Sequence, residues 1–389
     1  MIPSYSRSRK RMWSAPLPWV AALLLCLLLP LHGFAAPSAQ VPTIRIGHAP
    51  HDHHSPLYIA ALNPDYFKAH GGLYLRQVVL RKEYQLMDGN RLLAHVVISS
   101  SPGGEKLIRS LDEGLNDLSF GGVPAMLSFI DKGSEMKILL PAMADGSGMV
   151  VRPDLPARNW QEFVALARTS PEPLKIGFKT ALSSQVLILE AALRAEQIAY
   201  SENVTAKDGA RIILVDLTEE KNLLPALENG IVDGFVINQP FVAMAEKKGI
   251  GRTLAQLSEL PPAGNWRQTP CCALAGNNRY VAEHPREVEA LLTLLLRANQ
   301  YIAGHPEESA RQVAEWLGVA PEVERLSLPT ISFTTEYSAD WNRGVDFWID
   351  SMVSAGKLKN KVKKARETGT LPATVYDLEI YSRARKNME

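Results

Sequence analysis

A gap-free internal repeat constrains the fold of this chain more than any other feature of its sequence. The segments LDEGLNDLSFGGVPAMLSFIDKG and LENGIVDGFVINQPFVAMAEKKG agree at six positions, and the two copies are offset by 116 residues. The shared residues are Leu111, Gly114, Asp117, Pro124, Lys132 and Gly133 in the first copy, and Leu227, Gly230, Asp233, Pro240, Lys248 and Gly249 in the second. The repeat predicts two lobes built on one plan.

Each copy of the repeat has residues typical of the end of one helix, a short strand and the start of a new helix. The first glycine suits a left-handed residue just after a helix, the aspartate opens a short apolar strand, and the proline suits the first turn of the next helix. The predicted strands cover residues 118–120 and 235–237. Upstream of each copy lie a strand, at residues 96–98 and 175–178, a polar turn and a helix. The pattern predicts an α/β fold with a parallel sheet in each lobe.

The length and composition of the chain agree with two lobes. The 389 residues with 46% apolar content exceed what one hydrophobic core usually holds. We assign residues 42–142 and 268–389 to lobe I and residues 143–267 to lobe II. Open α/β sheets bind ligands at the carboxyl edges of their strands, so facing edges predict a ligand cleft between the lobes. Two crossing segments permit closure by hinge bending.

The N-terminal residues have the pattern of an export signal. Four basic side chains precede an apolar run at residues 20–29: Arg7, Arg9, Lys10 and Arg11. The run is short of the roughly 20 residues that a spanning helix needs, so residues 1–35 are predicted to be a cleaved signal peptide. We therefore expect a periplasmic protein. The formal net charge of +1 gives no indication of a nucleic-acid partner, and no hydrolase elbow, P-loop or zinc-protease motif is present.

The order of several motifs resembles the nitrate/sulfonate/taurine group of periplasmic binding proteins, also described as the SsuA/THI5-like and NMT1-like family. The motifs are IRIGH at 44–48, PLYIA at 56–60, YFKAHGG at 66–72, GGEKLIRSLDEGLNDLSFGGVPA at 103–125, KIGFKT at 175–180 and ALENGIVDGFVINQP at 226–240. The resemblance implies a type II periplasmic binding fold, no catalytic turnover and an ABC transporter permease as partner. We further expect a monomer with a small-molecule ligand and no resident cofactor.

The resemblance also places ligand-binding residues at the cleft. Glycines there let backbone amides approach a ligand, and Ser, Asn and Gln offer neutral hydrogen bonds; the alternative for each glycine-rich stretch is an ordinary turn. The predicted ligand-binding residues are His51, His53, His54, Ser55, Ser101, Gly103, Gly104, Gly122, Val123, Ser147, Lys179, Ser183, Ser184, Gln185, Asn238 and Gln239.

The run HAPHDHHS departs from the family pattern, which has a small or polar pair before PLY. In an extended loop His51 and His53 would point the same way, with His54 at the start of the next helix. Imidazoles can bind a transition metal, pair with an anion or stack on a ring. We expect this run to contact the ligand, and a solvated polar loop is the alternative.

The adjacent cysteines Cys271 and Cys272 follow Pro270 at the return crossing. They could join His51 and His53 in a transition-metal site, form a strained disulfide with each other, or lie in a buried strand as small apolar residues. All three interpretations of the cysteine pair are compatible with the sequence.

The ligand is expected to be small, and anionic or heterocyclic. Lys179 and the helix N-termini tolerate an anion, while the histidines permit a heterocycle or a metal chelate. Two alternatives remain: a metal-dependent pyrimidine-precursor synthase or binder, as in the yeast-type branch of the family, and a metal or metal-chelate binding protein. A basic stretch between Lys357 and Arg366 is a candidate permease-docking surface.

Overall fold

The structure, a computed structural model, describes residues 40–203, 205 and 209–388; the predicted signal peptide lies outside them. In chain order the strands are β1 (Thr43–His48), β2 (Leu73–Val79), β3 (Glu83–Asp88), β4 (Arg91–Ser100), β5 (Leu118–Gly122), β6 (Met136–Asp145), β7 (Ser147–Val151), β8 (Leu174–Phe178), β9 (Tyr200–Ser201), β10 (Ile212–Asp216), β11 (Gly234–Asn238), β12 (Arg252–Gln256), β13 (Pro270–Asn277) and β14 (Ile331–Phe333).

The helices follow the strands in alternation through most of the chain. They are α1 (Ser55–Leu62), α2 (Pro64–Ala69), α3 (Glu105–Asp112), α4 (Val123–Asp131), α5 (Trp160–Thr169), α6 (Ser184–Ala195), α7 (Leu223–Glu228), α8 (Phe241–Lys247), α9 (Asn278–Glu283), α10 (Pro285–Gly304), α11 (Pro306–Leu317), α12 (Pro321–Ser327), α13 (Ala339–Ser354), α14 (Lys361–Thr368), α15 (Leu371–Val375) and α16 (Leu378–Lys386). Within the part of the chain that the structure describes, no helix is both long and apolar enough to cross a membrane.

The strands form two sheets. The first sheet has the order β14-β6-β13-β5-β1-β4-β3-β2, and the second has the order β12-β7-β11-β8-β10-β9. In the first sheet β1 runs parallel to β4 and β5, and in the second β8 runs parallel to β10 and β11. The chain passes from the first sheet to the second at Gly146, between β6 and β7, and returns between β12 and β13. Both passages lie near the predicted lobe boundaries.

The repeat residues perform the same task in both sheets. Gly114 and Gly230 adopt left-handed φ angles of 71° and 67° after α3 and α7, a conformation that costs glycine little. The Asp117 carboxylate accepts a hydrogen bond from the backbone N–H of Arg45 at 2.8 Å, and the Asp233 carboxylate accepts one from that of Lys175 at 2.9 Å. Each aspartate thus ties its own strand to the parallel strand beside it.

One difference between the two copies concerns the prolines. Pro124 lies in the first turn of α4, as the sequence predicts, whereas Pro240 stands directly before α8. The strands are also longer than predicted, because β5 and β11 continue to Gly122 and Asn238. The extra residues at the carboxyl ends of these strands line the site described below.

Replacing Asp117 by asparagine is expected to lower the free energy of unfolding by about 2 kcal/mol, measured by urea denaturation. The carboxylate accepts from the Arg45 backbone and from its guanidinium, with a 3.0 Å bond from Nε, and bonds to charged groups contribute more than neutral ones. Asp88→Asn is the control, because the Asp88 carboxylate is half exposed and pairs with an exposed Arg91 at 3.4 Å. Equal losses for both variants would contradict this reading of the repeat.

The apolar cores do not separate cleanly along the two sheets. Val345 and Trp348 of α13 belong to the same buried cluster as Ile176 of β8 and Val186 of α6. Trp348 also donates a hydrogen bond from Nε1 to the carbonyl of Pro270 at 2.8 Å, at the start of β13. Helix α13 therefore joins the second sheet to the returning strand of the first.

The basic stretch near the C-terminus includes the start of α14. The buried Asp131 carboxylate, at the end of α4, accepts hydrogen bonds from the backbone N–H groups of Asn360 and Val362 at 3.0 and 2.9 Å. A carboxylate at that place caps the helix and complements its dipole. Lys357 pairs with Glu190 of α6 at 3.1 Å, so part of the stretch is neutralised. Its role in permease docking stays a prediction.

Candidate functional site

A small buried cavity lies where the carboxyl edges of the two sheets meet. Its volume is about 20 Å³, which accommodates one water molecule or one ion. The residues that line it come from both sheets: His51, His53, His54, Gly104, Gly121, Gly122, Lys179, Leu182, Ser183, Ser184, Gln185, Asn238, Cys271 and Cys272. Most follow a parallel strand or begin an antiparallel one, which is the position that the sheet topology favours for ligand binding.

The histidine run forms a tight turn that differs from the extended loop expected from the sequence. Residues Asp52–His54 are a 3₁₀ helix leading directly into α1. The turn is held by the Ser55 hydroxyl, which donates to the Asp52 carbonyl at 2.6 Å. The prediction of an extended loop was wrong. Helix α1 begins one residue after His54, and the three residues before it form a 3₁₀ helix that continues into α1. The turn brings all three rings to the cavity.

The rings of His51 and His54 present unpaired nitrogens. The backbone N–H of Ala49 donates to His54 Nδ1 at 2.9 Å, which leaves the proton of a neutral ring on Nε2. His54 Nε2 and His51 Nδ1 are both buried without a hydrogen-bond partner. Burial lowers the pKa of His51 and of His54 well below the ordinary value, and the neighbouring histidines and Lys179 lower both further. Both rings are therefore neutral at pH 7.

The one lysine of the cavity is neutralised by a buried partner. Lys179, just after β8, donates from Nζ to Glu220 Oε1 at 3.0 Å and to Asn238 Oδ1 at 2.9 Å. Burial acts to raise the pKa of Glu220, but the Lys179 charge and hydrogen bonds, one from the Gly103 backbone, together lower it below its ordinary value. The pair belongs to the second sheet and Gly103 to the first, so this contact crosses the cleft.

The N-terminus of α6 supplies three polar side chains to the cavity. Ser183 precedes the helix, and its hydroxyl oxygen is buried without a hydrogen-bond partner. Gln185 donates from Nε2 to Ser147 Oγ at 3.0 Å and to Cys271 Sγ at 3.6 Å. Helix N-termini carry unpaired N–H groups and a positive dipole end, so this end of α6 provides hydrogen-bond donors to the site.

The cysteines are free buried thiols that face one histidine. Cys271 Sγ and Cys272 Sγ lie 3.5 and 3.7 Å from His53 Nδ1. A hydrogen bond from Cys272 lowers the pKa of Cys271 well below the ordinary thiol value, against the effect of burial. The same bond and burial raise the pKa of Cys272. One proton is thus lost from the pair more easily than from an isolated buried cysteine.

Six of the residues predicted to bind ligand do not line the cavity. Ser55 stabilises the histidine turn, Ser101 donates to the Pro102 carbonyl at 3.2 Å, and Val123 packs in the core as the first residue of α4. Ser147 accepts from Gln185 and so orients a lining residue. These four residues stabilise the site or the fold without lining the cavity.

The other two lie at the edges of the cleft. Gly103 packs against the Lys179–Glu220 pair, where an added Cβ would approach Glu220 Oε1 to 2.5 Å. Gln239 accepts from the backbone N–H of Ala243 at 3.1 Å and so caps the start of α8. Sequence reasoning missed Leu182 and Glu220. Glu220 lies 41 residues after its partner Lys179, and no local motif connects the two.

A buried pair of acidic side chains lies behind the histidine turn. The hydroxyl of Ser327, at the end of α12, lies within hydrogen-bond distance of the Asp52 carboxylate and of Glu324 Oε2, the latter at 3.0 Å. Burial raises the pKa of Glu324 to about 7, and burial together with Glu324 raises that of Asp52 well above its ordinary value. Through Ser327 the two acidic groups anchor the histidine turn to α12.

Comparisons with known proteins agree on one family and one fold. A family model described as NMT1-like family matches residues 38–318. An uncharacterized protein of Methanocaldococcus jannaschii, MJ1180, is 34% identical over 122 residues, which cover 31% of this chain and 84% of that protein.

Two solved structures extend the likeness over most of the chain. The ligand-binding component of an ABC-type import system from Staphylococcus aureus, solved with zinc bound, has a TM-score of 0.67 at 14% identity, covering 88% of this chain and 99% of that one. The periplasmic nitrate-binding protein NrtA from Synechocystis PCC 6803 has a TM-score of 0.68 at 14% identity, covering 90% of each. These likenesses confirm the predicted α/β, type II periplasmic binding fold.

Proposed function

The chain belongs to the NMT1-like family, and we propose that it is the exported solute-binding component of an ABC importer, enclosing one small solute between its two sheets. The protein acts as a carrier and not as an enzyme. The permease of the importer is the partner that accepts the solute. The Staphylococcus aureus and Synechocystis proteins, which share the fold, are described as an import component and a nitrate-binding protein, and they support this class of function.

The observation that carries the proposal is a set of unpaired polar atoms at the cavity. His51 Nδ1, His54 Nε2 and Ser183 Oγ are buried without hydrogen-bond partners, and all three residues line the cavity. Buried polar groups in proteins are nearly always hydrogen-bonded to protein, water or a bound ion, so three unpaired atoms around one cavity favour a polar occupant. A solute in the cavity would satisfy groups from both sheets at once.

The charges of the site bear on the class of solute. His51 and His54 are neutral at pH 7, and the charge of Lys179 is compensated by Glu220 at 3.0 Å. An anion in the cavity would meet hydrogen-bond donors but no uncompensated positive side chain among the lining residues described. The side-chain charges therefore do not require the anion that the sequence left open, and a neutral or cationic solute is compatible with them.

Contacts across the cleft hold the two sheets together in a closed arrangement. The Glu220 carboxylate accepts from the Gly103 backbone, and Lys106 pairs with Glu219 at 3.4 Å. A solute that touches both sheets favours this closed arrangement by its differential affinity for it. The permease then distinguishes the loaded carrier by its closed shape.

A blocking variant tests the proposal. Gly122→Val is expected to abolish solute binding, because a Cβ at Gly122 lies within 3.7 Å of Ser184 Oγ and 3.9 Å of the Cys271 carbonyl, at the cavity wall. The fold should tolerate the change, since the added Cβ meets no atom closer than that. Gly304→Val, at the end of α10 and with no atom within 4 Å of an added Cβ, is the matched control.

The measurement is the thermal midpoint of protein freed of solute by unfolding in guanidinium and refolding. Adding back the low-molecular-weight fraction of the host's growth medium should raise Tm by about 5 °C for the wild type and for Gly304→Val at a solute concentration of about 100 Kd. Gly122→Val should not respond. An equal rise in all three proteins would place binding outside the cavity and refute the proposal.

A further inference from the structure

The structure assigns a specific class of solute to the cavity. We infer that the solute is a divalent thiophilic metal ion of the Zn²⁺ type, held by His53 Nδ1 and by the sulfur atoms of Cys271 and Cys272. This inference rests on the proposed carrier function, since it names the cargo of the same cavity. The three ligand atoms are buried and lie within 4.8 Å of one another.

The distances from the His53 nitrogen to the two sulfur atoms match those around one tetrahedral ion. Zinc binds sulfur at about 2.3 Å and imidazole nitrogen at about 2.0 Å, and tetrahedral angles then separate nitrogen from sulfur by about 3.6 Å. The two observed separations, from His53 Nδ1 to Cys271 Sγ and to Cys272 Sγ, are 3.5 and 3.7 Å. Both separations from nitrogen to sulfur therefore suit one shared ion, and the two sulfur atoms lie within 4.8 Å of each other.

An irregular strand makes two adjacent cysteines available to one ion. Successive side chains of a regular strand point to opposite faces of the sheet, which would separate Cys271 from Cys272. The pairing of β13 with β6 shifts register on both sides of Cys272, and such bulges re-aim side chains. Both sulfur atoms consequently lie near the same nitrogen of His53.

The surrounding hydrogen bonds prepare the ligand atoms for a metal. His53 Nε2 lies 2.9 Å from the Gly146 carbonyl, which can only accept, so Nε2 carries the proton and Nδ1 offers its lone pair to the site. Metal-ligating histidines usually make such a bond through their other ring nitrogen. Gln185 Nε2 donates to Cys271 Sγ at 3.6 Å and would stabilise the thiolate form.

The charge of the complex favours a divalent ion. Two thiolates and a neutral imidazole around a dipositive ion give a complex without net charge, whereas a monovalent ion such as Cu⁺ would leave one negative charge buried. The Lys179–Glu220 pair beside the site adds no net charge. Soft sulfur ligands also select against Mg²⁺ and Ca²⁺.

Three protein ligands leave a fourth position for an exchangeable group. The cavity volume of about 20 Å³ accommodates one water molecule there. The His51 ring lies 5.4 Å from the His53 ring, and its unpaired Nδ1 is available to hydrogen-bond that water. An open position permits release of the ion to a permease, whereas four protein ligands are typical of permanent structural sites.

The test is a Zn²⁺ titration of the reduced, metal-free protein in competition with a chromophoric chelator. The wild type should bind one Zn²⁺ per chain, and His53→Gln, Cys271→Ser and Cys272→Ser should each weaken binding by about 100-fold or more. Gln185→Leu, which removes the bonds to Cys271 and Ser147 but no metal ligand, should weaken binding by about 10-fold with unchanged stoichiometry. His305→Gln is the control, because its Nδ1 bonds the Tyr301 carbonyl away from the cavity.

Zinc-edge X-ray absorption of the loaded wild type provides a readout that does not depend on variants. It should show two sulfur ligands at about 2.3 Å and nitrogen or oxygen at about 2.0 Å. A shell of nitrogen and oxygen alone, undiminished Zn²⁺ affinity in the Cys271→Ser/Cys272→Ser double variant, or binding of Cu⁺ without Zn²⁺ would overturn the inference.

Failure of the inference and failure of the proposed function can be told apart. A wild type that carries an organic molecule from the periplasm and has no Zn²⁺ affinity would refute the metal and leave the carrier function standing. A wild type that binds neither Zn²⁺ nor any component of the medium in the Tm assay would refute both.

Discussion

Replacing Lys179 by methionine should lower the free energy of unfolding by about 3–5 kcal/mol. The substitution keeps the length and apolar stem of the side chain but removes the charge that compensates Glu220, and an unpaired buried charge is costly. Both partners of the pair are almost fully buried, with side-chain exposures of 7% and 9%. Asn238 Oδ1 would lose its 2.9 Å bond as well. Urea denaturation monitored by circular dichroism measures the loss.

The neighbouring ion pair provides a matched control. Lys106 and Glu219 also connect the two sheets, at 3.4 Å, but Lys106 is exposed and Glu219 is only partly buried, so Lys106→Met should cost less than about 1 kcal/mol. The double variant Lys179→Met/Glu220→Gln should recover most of the loss, because it leaves no buried charge. If Lys179→Met costs no more than Lys106→Met, the buried pair does not stabilise the cleft.

The buried acid behind the histidine turn should make stability depend on pH. The pKa of Glu324 is about 7 in the folded protein and 4.5 in its ordinary environment. The folded state therefore holds this proton more tightly than the unfolded state, and stability falls as pH rises from about 4.5 and levels off above about 7. The loss amounts to about 3 kcal/mol across that window.

Glu324→Gln should remove this pH dependence. The amide keeps the shape of the side chain and stays neutral, so the variant should gain stability relative to the wild type as pH rises from 5 to 8. Asp52 and Ser327 contact Glu324, and the charges of Asp52 and Glu324 act on the buried Tyr58. Glu322→Gln, at an exposed position of the same helix, is the control. A constant difference between Glu324→Gln and the wild type at pH 5, 6, 7 and 8 would contradict the assignment.

The sequence predicted the scaffold well because its signals are local. The helix ends at Gly114 and Gly230 and the strands after Asp117 and Asp233 depend on a few neighbouring residues. Two copies of one pattern then sufficed to predict two sheets and a cleft at their carboxyl edges. The glycine, serine and asparagine segments of the cavity follow from that topology.

The chemistry of the cavity depends on contacts that sequence spacing does not reveal. His53 lies 218 residues before Cys271, and Asp52 lies 272 residues before Glu324. The two cysteines reach one histidine only because β13 is irregular at Cys272. The histidine turn is set by the start of α1 and by the anchor at Ser327. The metal set is one of three interpretations of the cysteines that the sequence leaves open, because sequence spacing alone does not favour any of them.

The central claim is that the cavity between the sheets encloses a solute, and native mass spectrometry of the protein isolated from the periplasm without refolding tests it most directly. The account predicts a non-covalent adduct of one metal ion or one small molecule on the wild type and on Gly304→Val, and its absence from Gly122→Val. The mass of the bare polypeptide, without an adduct, for each of the three proteins, or the same adduct on Gly122→Val, would contradict the claim.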